Sequence, residues 1–310
     1  MNTLINEPDE FPAGALRLLR EAGSVHLATN PYPANAIDTI FVRLRDRIGK
    51  DFHRRFPALR RIVTPTTGLN HIDTAYFESA GITILSLRGR TDFLVNIHAT
   101  AEHTLALALA LIRKLPAACN SVALGEWNRY PFKGTELFGK RIVLLGYGRL
   151  GAQVAGLFRA FGSDVRAYDR ERAKVPDSLY IPLEEGVSTA DLLSLHISFE
   201  PANAGWFGRD LLSRMKEGAF FINTSRGEIV DQQALLEALA QRRIAGAALD
   251  VLEGEPSPLN QRLLELANDP SLNLLLTPHI AGFTAESLEA VELYMTQVLL
   301  SDPKTSDGAV

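Results

Sequence analysis

Residues 1 to 93 alternate short apolar runs with stretches of helical periodicity. Short apolar runs bounded by turn-forming residues predict strands, and the stretches between them predict helices. The predicted strands are Thr3–Asn6, Val25–Ala28, Thr39–Val42, Arg61–Thr64 and Thr83–Ser86, and helices are predicted to begin near Phe11, Asp51 and Asp73. Because alternating strands and helices form parallel sheets, this part of the chain predicts a parallel sheet covered by helices.

A second alternating unit follows a long apolar helix. From Asn96 to about Leu124, apolar residues lie almost all round the predicted helix, which indicates burial between domains or subunits. Residues 141 to 276 then alternate again, and the later predicted strands are Leu192–His196, Ala219–Asn223, Ala245–Leu249 and Asn273–Leu276. A last helix, from Ala285 to about Leu300, is apolar on one face and is predicted to return to the first domain. The polar tail after it is predicted to fray.

A glycine-rich turn lies between the first strand of this second unit and the helix that follows. It reads Gly146-Tyr147-Gly148-Arg149-Leu150-Gly151. The first glycine allows a tight turn, the second lets backbone approach a pyrophosphate, and the third lets the helix pack close to the strand. The helix N-terminus offers unpaired N–H groups to phosphates. The next strand ends at Asp169, where a carboxylate accepts hydrogen bonds from ribose hydroxyls, so the stretch predicts a dinucleotide site.

The acid at the end of that strand also bears on which dinucleotide binds. Asp169 would repel a 2′-phosphate, which favours NAD over NADP. Arg170 and Arg172 follow it and weaken this preference, because arginines there could receive such a phosphate. The sequence therefore predicts NAD and leaves the ratio of the two cofactors open.

Three later strands each end shortly before an ionisable side chain, namely Arg226, Glu255 and His279. In open parallel sheets, ligands bind beyond the carboxyl ends of the strands, so the three are predicted to meet at the rim that holds the nicotinamide. The trio suits hydride transfer to a 2-keto acid. A forked guanidinium matches the substrate, and an imidazole supplies the proton near neutral pH. The neighbouring carboxylate would orient the ring and favour its protonated form.

Each member of the trio also has a purely structural interpretation. Arg226 could be a surface arginine, Glu255 an exposed turn acid and His279 a loop histidine with satisfied hydrogen bonds. Their shared position at the ends of three strands in a dinucleotide fold favours the catalytic interpretation.

At these residues the chain resembles the D-isomer-specific 2-hydroxyacid dehydrogenase family, which includes phosphoglycerate, glyoxylate and D-lactate dehydrogenases. The resemblance covers nearly the whole chain, and its motifs are specific in combination. They lie at residues 67–73, 101–104, 146–151, 223–227, 250–256 and 278–282. The resemblance implies an α/β protein of two doubly wound parallel-sheet domains. A Rossmann NAD-binding domain, residues 95–282, would be inserted in a flavodoxin-like substrate domain, residues 1–94 and 283–310.

The resemblance also implies site residues. It agrees with Arg226, Glu255 and His279 as catalytic, and it implies that backbone around Thr67-Gly68-Leu69 holds the substrate carboxylate. The cofactor-binding residues expected from the glycine turn and the family are Gly146, Tyr147, Gly148, Arg149, Leu150, Gly151, Asp169, Arg170, His196, Thr224, Asp250 and Gly282. A homodimer is implied as well. The segment around Trp127 resembles the family's dimerisation arm, although a packed tryptophan beside a surface arginine explains it nearly as well.

Arginines in the first domain suggest an acidic substrate. Arg43 and Arg45 resemble a pair that grips phosphate in phosphoglycerate enzymes, and Arg88 or Arg90 is expected nearby. We hypothesise a substrate with a second anion, a phosphate or another carboxylate, such as 3-phosphoglycerate. Solvent-facing arginines on a basic edge explain these residues equally well. Asn70 stands where many family members have Asp, so the individual 2-hydroxy acid stays open.

Composition excludes several other classes of protein. The net charge is −4, so no broad basic field exists for nucleic acid or an anionic membrane. No apolar run approaches the length of a membrane span, and the N-terminus does not resemble a signal peptide. The single cysteine, Cys119, excludes an internal disulfide, fits a reducing compartment and is expected to be buried in its helical pattern. A cytoplasmic location and no metal site are predicted.

Two other functions compete with the dehydrogenase as interpretations of these motifs. A formate dehydrogenase of the same fold pairs its histidine with glutamine, and Glu255 argues against it. A non-catalytic NAD(H)-sensing binding protein, such as the transcriptional corepressors that resemble this family, keeps the same trio. The motifs therefore do not exclude a sensor, but no added interaction segment favours it.

Overall fold

A computed structural model describes residues 1–255, 261–269 and 271–302. The end of the predicted motif at 250–256 and the predicted frayed tail from 303 onward lie outside the described residues. The strands are β1 Asn2–Ile5, β2 Ser24–Leu27, β3 Thr39–Phe41, β4 Arg61–Thr64, β5 Thr83–Ser86, β6 Arg141–Leu145, β7 Asp164–Tyr168, β8 Leu192–Leu195, β9 Phe220–Asn223, β10 Gly246–Leu249 and β11 Leu274–Leu276. The helices are α1 Ala13–Ala22, α2 Lys50–His53, α3 Thr74–Ser79, α4 Thr91–Leu94, α5 Ala99–Ile112, α6 Leu115–Ala123, α7 Arg149–Ala160, α8 Leu183–Thr189, α9 Arg209–Arg214, α10 Gln232–Ala240, α11 Gln261–Ala267 and α12 Ala285–Ser301.

The chain divides into two compact units. The first unit contains Met1–Ile97 and Thr284–Val310, and the second contains His98–Phe283. The C-terminal helix α12 therefore belongs to the same unit as the N-terminal strands, and it packs against α1, β4 and β5.

The first unit is built on a five-stranded parallel sheet in the order β2-β1-β3-β4-β5. Alternate side chains of each strand point to opposite faces, so each face has its own core. Leu4, Ile40 and Ile62 pack in one core and Ile5, Phe41 and Val63 in the other. The five strands predicted for this region are all present, with ends shifted by at most one residue.

The second unit is built on a six-stranded parallel sheet in the order β11-β10-β9-β8-β6-β7. Ile142 and Leu144 of β6 pack on the face with α5 and α7, whereas Val143 and Leu145 pack on the opposite face. Because β7 lies on one side of β6 and β8 on the other, the order in which strands are added to the sheet reverses at β6. A crevice at the carboxyl ends of β6 and β8 is the expected ligand site of such a sheet. The predicted α/β class with two parallel sheets is confirmed.

The single long helix predicted from Asn96 to Leu124 is wrong, because α5 ends at Ile112 and α6 begins at Leu115. Between them Lys114 adopts a left-handed conformation with φ of 53°. Pro116 explains the break, since in a continuous helix its ring would clash with the carbonyl of Ile112, four residues earlier. That carbonyl accepts instead from the N–H of Thr135, at 3.1 Å. α5 is buried within its own unit, against α7 and strands β9 to β11.

The break also exposes α6. Cys119, expected to be buried, is exposed, and Ser121 is the one residue of this helix that is buried. The apolar pattern that α6 shares with α5 therefore does not mark a common core. Among the described residues, no individual helix has the length and apolarity to cross a membrane, although the bent pair α5 and α6 meets that test jointly.

A buried ion pair ties α12 to the segment after β3 in the first unit. Arg43 Nε donates to Glu292 Oε1 at 2.6 Å, and the Glu292 side chain is 1% exposed. Oε2 of Glu292 is buried and has no hydrogen-bond partner among the described residues. Burial raises the pKa of Glu292 to about 7, because the loss of solvation outweighs the attraction of Arg43.

The raised pKa of Glu292 makes stability depend on pH. The unfolded carboxyl loses its proton near pH 4.5, whereas the folded one keeps it to about pH 7. Folding stability is therefore lost as pH rises through this window, by up to about 3 kcal/mol at about 1.4 kcal/mol per pKa unit. We expect Glu292→Gln, which keeps an acceptor for Arg43 but cannot ionise, to gain stability relative to the wild type between pH 5 and pH 8.

Urea unfolding at pH 5 and pH 8 measures this difference. Glu289→Gln changes an exposed carboxyl of the same helix and is the matched control. Parallel pH profiles for the wild type and Glu292→Gln would contradict the prediction.

Candidate active site

The glycine turn after β6 forms a backbone cradle. Gly146 has φ of 101°, and a Cβ there would lie 2.5 Å from the carbonyl oxygen of His196. A Cβ on Gly151 would lie 2.3 Å from the carbonyl oxygen of Gly146. A Cβ on Gly148, by contrast, would meet nothing within 4 Å. The outer two glycines are thus required for packing, and the middle one leaves open space before the first N–H groups of α7, as a pyrophosphate requires.

Asp169 fastens this turn to the end of β7. Its Oδ2 accepts from the N–H of Tyr147 at 2.9 Å, and its Oδ1 accepts from the N–H of Glu171 at 2.9 Å. The N–H of Gly146 donates to the carbonyl of Tyr168 at 2.8 Å. Two backbone N–H groups therefore fix the carboxylate beside the turn, where a ribose would lie.

Two further residues expected to bind the cofactor lie at the start of α7, one in the core and one with a charged side chain. Leu150 packs against the core on the α7 face of the sheet. Arg149 is half-buried, and burial lowers the pKa of its guanidinium. Its Nη1 donates to Gln153 Oε1 at 3.3 Å, one turn along the same helix.

Both arginines that follow Asp169 have carboxylate partners. Arg170 pairs with Glu200 through two contacts of 3.4 Å. Arg172 pairs with Asp177 and also donates to the carbonyl of Val175 at 2.7 Å. The structure therefore surrounds the two cations with negative charge.

His196, at the end of β8, is partly buried, and its ring nitrogen Nδ1 is inaccessible to solvent. Its Nε2 lies 3.0 Å from Ser194 Oγ, and its N–H donates to the carbonyl of Leu145 at 2.7 Å. Burial lowers the pKa of His196 to about 3, so the imidazole is neutral at physiological pH. The part of His196 that approaches the glycine turn is its carbonyl, which contacts Gly146.

Asp250, after β10, organises the turn that carries His279. Its Oδ1 accepts from Thr277 Oγ1 at 2.6 Å and from the N–H of Ile280 at 2.9 Å, and its Oδ2 accepts from the N–H of Ala281 at 2.9 Å. Its backbone carbonyl accepts from the N–H of His279 at 2.8 Å. These contacts hold His279 in a left-handed conformation with φ of 54°.

The charge of Asp250 is stabilised despite its burial. Burial alone would raise the pKa of Asp250. Hydrogen bonds from His103, Thr277 and the N–H groups of Ala281 and Ile280 lower that pKa below its usual value instead. His103 Nε2 lies 3.4 Å from Asp250 Oδ1, so α5 contributes to the same network.

Two further expected cofactor residues lie around α5. Thr224, after β9, is buried, and its Oγ1 lies 2.9 Å from Thr104 Oγ1. Thr104 Oγ1 donates its one hydrogen to the carbonyl of Thr100 at 2.8 Å, which leaves Thr224 Oγ1 as the donor between the two hydroxyls. Gly282 is exposed, and a Cβ there would lie 3.9 Å from Thr100 Oγ1.

Two of the three residues expected to be catalytic are in contact, and the charge of one of them acts on the third. His279 Nδ1 lies 2.6 Å from Glu255 Oε1, and both side chains are about four-fifths buried. Burial lowers the pKa of Arg226, and the charges of Glu255 and Glu228 oppose that shift. Arg226 Nη1 donates to the carbonyl of Ser225 at 2.6 Å, and its own carbonyl accepts from Asn223 Nδ2 at 2.9 Å.

The residues expected to bind substrate lie in the first unit. The loop after β4 contains Thr67, Gly68 and Leu69, and its shape is held by Thr66, whose Oγ1 donates to the carbonyl of Gly68 at 2.9 Å. The carbonyl of Leu69 accepts from the N–H of Ile72 at 2.9 Å.

The two arginines after β3 differ in exposure. Arg43 Nε and Nη1 donate to Glu292 and to the carbonyl of Asp9, and its side chain is 14% exposed. Arg45 donates to the carbonyl of Asn6 at 2.7 Å and contacts Asp46, and its side chain is 52% exposed. Arg45 is thus the more accessible of the two to an anion.

Sequence reasoning gave no role to Thr277 or His103, which complete the Asp250 network. His103 lies within the family motif at 101–104, and Thr277 directly precedes the motif at 278–282. These positions are the sequence feature that could have suggested a role for them. Their contacts with Asp250 join α5, β10 and β11, and periodicity does not reveal which side chains of three elements converge.

Residues 105–281 match the family model described as "D-isomer specific 2-hydroxyacid dehydrogenase, NAD binding domain". A D-3-phosphoglycerate dehydrogenase of Methanocaldococcus jannaschii is 32% identical over 293 residues, which are 91% of this chain and 54% of the relative. The corresponding protein of Bacillus subtilis is 32% identical over 274 residues, 87% of this chain and 50% of the relative. The chain thus spans about half the length of these relatives.

A solved structure gives a similar result. The D-lactate dehydrogenase of Aquifex aeolicus, solved in complex with NAD and lactic acid, superposes with a TM-score of 0.79 at 27% identity. The match covers 96% of this chain and 94% of that one.

Two glycines test the cradle. We expect Gly146→Ala to destabilise the fold by about 1–3 kcal/mol, because its Cβ would meet a backbone carbonyl at a positive φ, and to weaken NADH binding. Gly156 lies within α7, the helix that follows this turn, and a Cβ there meets nothing within 4 Å. Gly156→Ala should therefore stabilise the fold by about 0.5–1 kcal/mol. Thermal unfolding and NADH fluorescence titration measure both effects. Similar changes in the two variants would disprove the close approach.

Proposed function

The chain belongs to the D-isomer-specific 2-hydroxyacid dehydrogenase family, and we propose that it interconverts a D-2-hydroxy acid and its 2-keto acid with NAD. The observation that carries the proposal is the 2.6 Å contact between His279 Nδ1 and Glu255 Oε1, whose charge also acts on the guanidinium of Arg226. An imidazole, a carboxylate and a guanidinium together provide for proton transfer and for binding of a keto acid.

In this proposal His279 is the general acid and base. With Nδ1 hydrogen-bonded to Glu255, Nε2 is the nitrogen that gives its proton to the carbonyl oxygen in reduction and takes it back in oxidation. NAD, when bound, supplies or accepts the hydride. Glu255 keeps the ring oriented and stabilises the imidazolium, and Arg226 binds the substrate carboxylate and polarises the carbonyl. His279 is held for this role by the Asp250 network.

The cofactor would be held by residues of the second unit. The N–H groups after Gly148 would bind the pyrophosphate, and Asp169, fixed by the N–H groups of Tyr147 and Glu171, would accept from the ribose hydroxyls. Thr224, Asp250 and Gly282 would lie near the nicotinamide, and the carbonyl of His196 would shape the turn.

The first unit would bind the substrate. We propose that backbone N–H groups of the loop at 67–69 hold its carboxylate and that Arg45 attracts a second anion, as in 3-phosphoglycerate. Two observations support this proposal. The guanidinium of Arg45 is exposed, and the two relatives described above are D-3-phosphoglycerate dehydrogenases. Arg43, through its buried pair with Glu292, would hold in place the segment that carries Arg45.

A homodimer is part of the proposal. Trp127 is 92% exposed, and Leu124, Tyr130 and Phe138, which are near it in the chain, are also exposed. Several exposed large apolar side chains in one stretch of the chain favour a protein interface.

The trio leads to a direct test of catalysis. We expect His279→Ala to lower NADH-dependent reduction of 2-keto acids by at least about a thousandfold, because proton transfer is lost, while NADH binding stays within about twofold. His98→Ala, which removes an exposed histidine bonded to Gln153, is the matched control and should keep full turnover.

The assay uses glyoxylate, hydroxypyruvate, pyruvate, 2-oxoglutarate and 3-phosphohydroxypyruvate, followed by NADH absorbance. Turnover that survives in His279→Ala would refute the proton-transfer role. Tight NADH binding by the wild type without turnover of any keto acid would favour the NAD(H)-sensing protein.

The second anion leads to a separate prediction. We expect Arg45→Gln to lower kcat/KM for 3-phosphohydroxypyruvate about tenfold or more and to change that for pyruvate by less than about twofold, because only the former has a phosphate to bind. Arg47→Gln provides a control for charge in the same segment. An equal loss for both keto acids, or equal wild-type specificity constants for them, would refute the second-anion hypothesis.

A further inference from the structure

Arg170 occupies the position at which a cofactor 2′-phosphate would be received. It follows Asp169 directly at the carboxyl end of β7, and its side chain is 69% exposed. In dinucleotide folds an arginine near this strand end accommodates the 2′-phosphate of NADP. An unpaired arginine there would oppose the repulsion by Asp169 and blur the choice of cofactor.

Glu200 faces this arginine with both carboxylate oxygens. Arg170 Nη1 lies 3.4 Å from Glu200 Oε2, and Nη2 lies 3.4 Å from Glu200 Oε1, so the two forks are aligned. The hydrogen bond and charge of Glu200, followed by the charges of Glu171 and Asp169, raise the pKa of Arg170. Glu200 is thus the carboxylate in contact with this cation, and the two carboxylates next to it in the chain act on it by charge alone.

The position of Glu200 is set by the loop after β8. Its N–H donates to Asn203 Oδ1 at 3.0 Å, and Asn203 Nδ2 donates to the carbonyl of Ser198 at 2.9 Å. In the sheet, β6 lies between β8 and β7, so the pair of Arg170 and Glu200 reaches across the strand that carries the glycine turn. The carboxylate is thus held beside the cofactor crevice by its own short turn at Pro201–Asn203.

The second arginine after Asp169 is neutralised in a different way. Arg172 pairs with Asp177, donates to the carbonyl of Val175, and lies with its guanidinium 4.0 Å from the centre of the Tyr180 ring. These contacts fix it by charge, hydrogen bond and cation–π attraction at once. Of the two arginines, Arg170 is the one whose charge depends on a single partner from another loop.

We propose that Glu200 is a cofactor-specificity residue, which cancels the charge of Arg170 and so strengthens the discrimination against a 2′-phosphate. The pair is exposed and contributes little to folding stability, which is consistent with a role toward a ligand. The proposal depends on the NAD site of the second unit and not on the identity of the substrate.

The test compares dissociation constants of NADPH and NADH, measured by calorimetry at low ionic strength without substrate. Glu200→Gln keeps the size of the side chain and frees the charge of Arg170. We expect the Kd for NADPH to fall about fivefold to tenfold and that for NADH to change less than about twofold, since only NADPH carries the phosphate. The effect should shrink as salt is added.

Two controls isolate the mechanism. Glu237→Gln removes the same charge from an exposed ion pair with Arg209 on α9 and should leave the ratio of the two constants unchanged. Adding Arg170→Gln to Glu200→Gln should return NADPH binding to near the wild-type value.

An unchanged ratio in Glu200→Gln, an equal change in Glu237→Gln, or a gain that persists without Arg170 would each overturn the proposal. Because the measurement needs no turnover, failure of the keto-acid assay would leave it standing.

Discussion

The hydrogen bonds to the buried carboxylate of Asp250 are the interaction on which the proposed site depends. A carboxylate this deep is stable as an anion only where donors replace its lost water. Here the donors are Thr277 and the N–H groups of Ile280 and Ala281, with His103 at 3.4 Å. The same groups fix the turn that bears His279. The charge of Asp250 and the position of His279 are therefore two results of one network.

Unusual backbone conformations occur at both ends of the site. Gly146 and His279 both have positive φ, and both follow a parallel strand of the second unit. Gly146 adopts this conformation without a Cβ penalty, whereas His279, a non-glycine residue, is strained by about 1–3 kcal/mol. The four hydrogen bonds that Asp250 accepts from this turn offset the strain, which explains why an imidazole can stand where a loop would otherwise favour glycine.

Charge is arranged differently in the two units. In the second unit, carboxylates surround the arginines after Asp169, so little positive charge is left beside the adenosine side of the expected cofactor site. In the first unit, Arg43 is buried against Glu292 while Arg45 stays exposed. The first pattern would disfavour an extra phosphate on the cofactor, and the second would leave a cation for an anionic substrate.

The strands and the glycine turn could be predicted because their signals are local. A strand of a covered parallel sheet is a short apolar run, and Gly146 and Gly151 recur at fixed spacing from it. The apolar pattern does not predict the helix break at Pro116, because it continues across the proline. The prediction that Cys119 is buried is wrong for the same reason, since periodicity indicates which face of a helix is apolar and not whether anything covers that face.

The sequence by itself therefore determined the α/β class, the two parallel sheets, the dinucleotide turn and the candidates Arg226, Glu255 and His279. Tertiary structure alone decided the partners of the charged groups. Glu292 meets Arg43 across 249 residues, and Glu200 meets Arg170 across 30. The reason is physical, since backbone preference and apolar periodicity are set by neighbours in the chain. The pairing and desolvation of a charge depend on which distant elements fold against it.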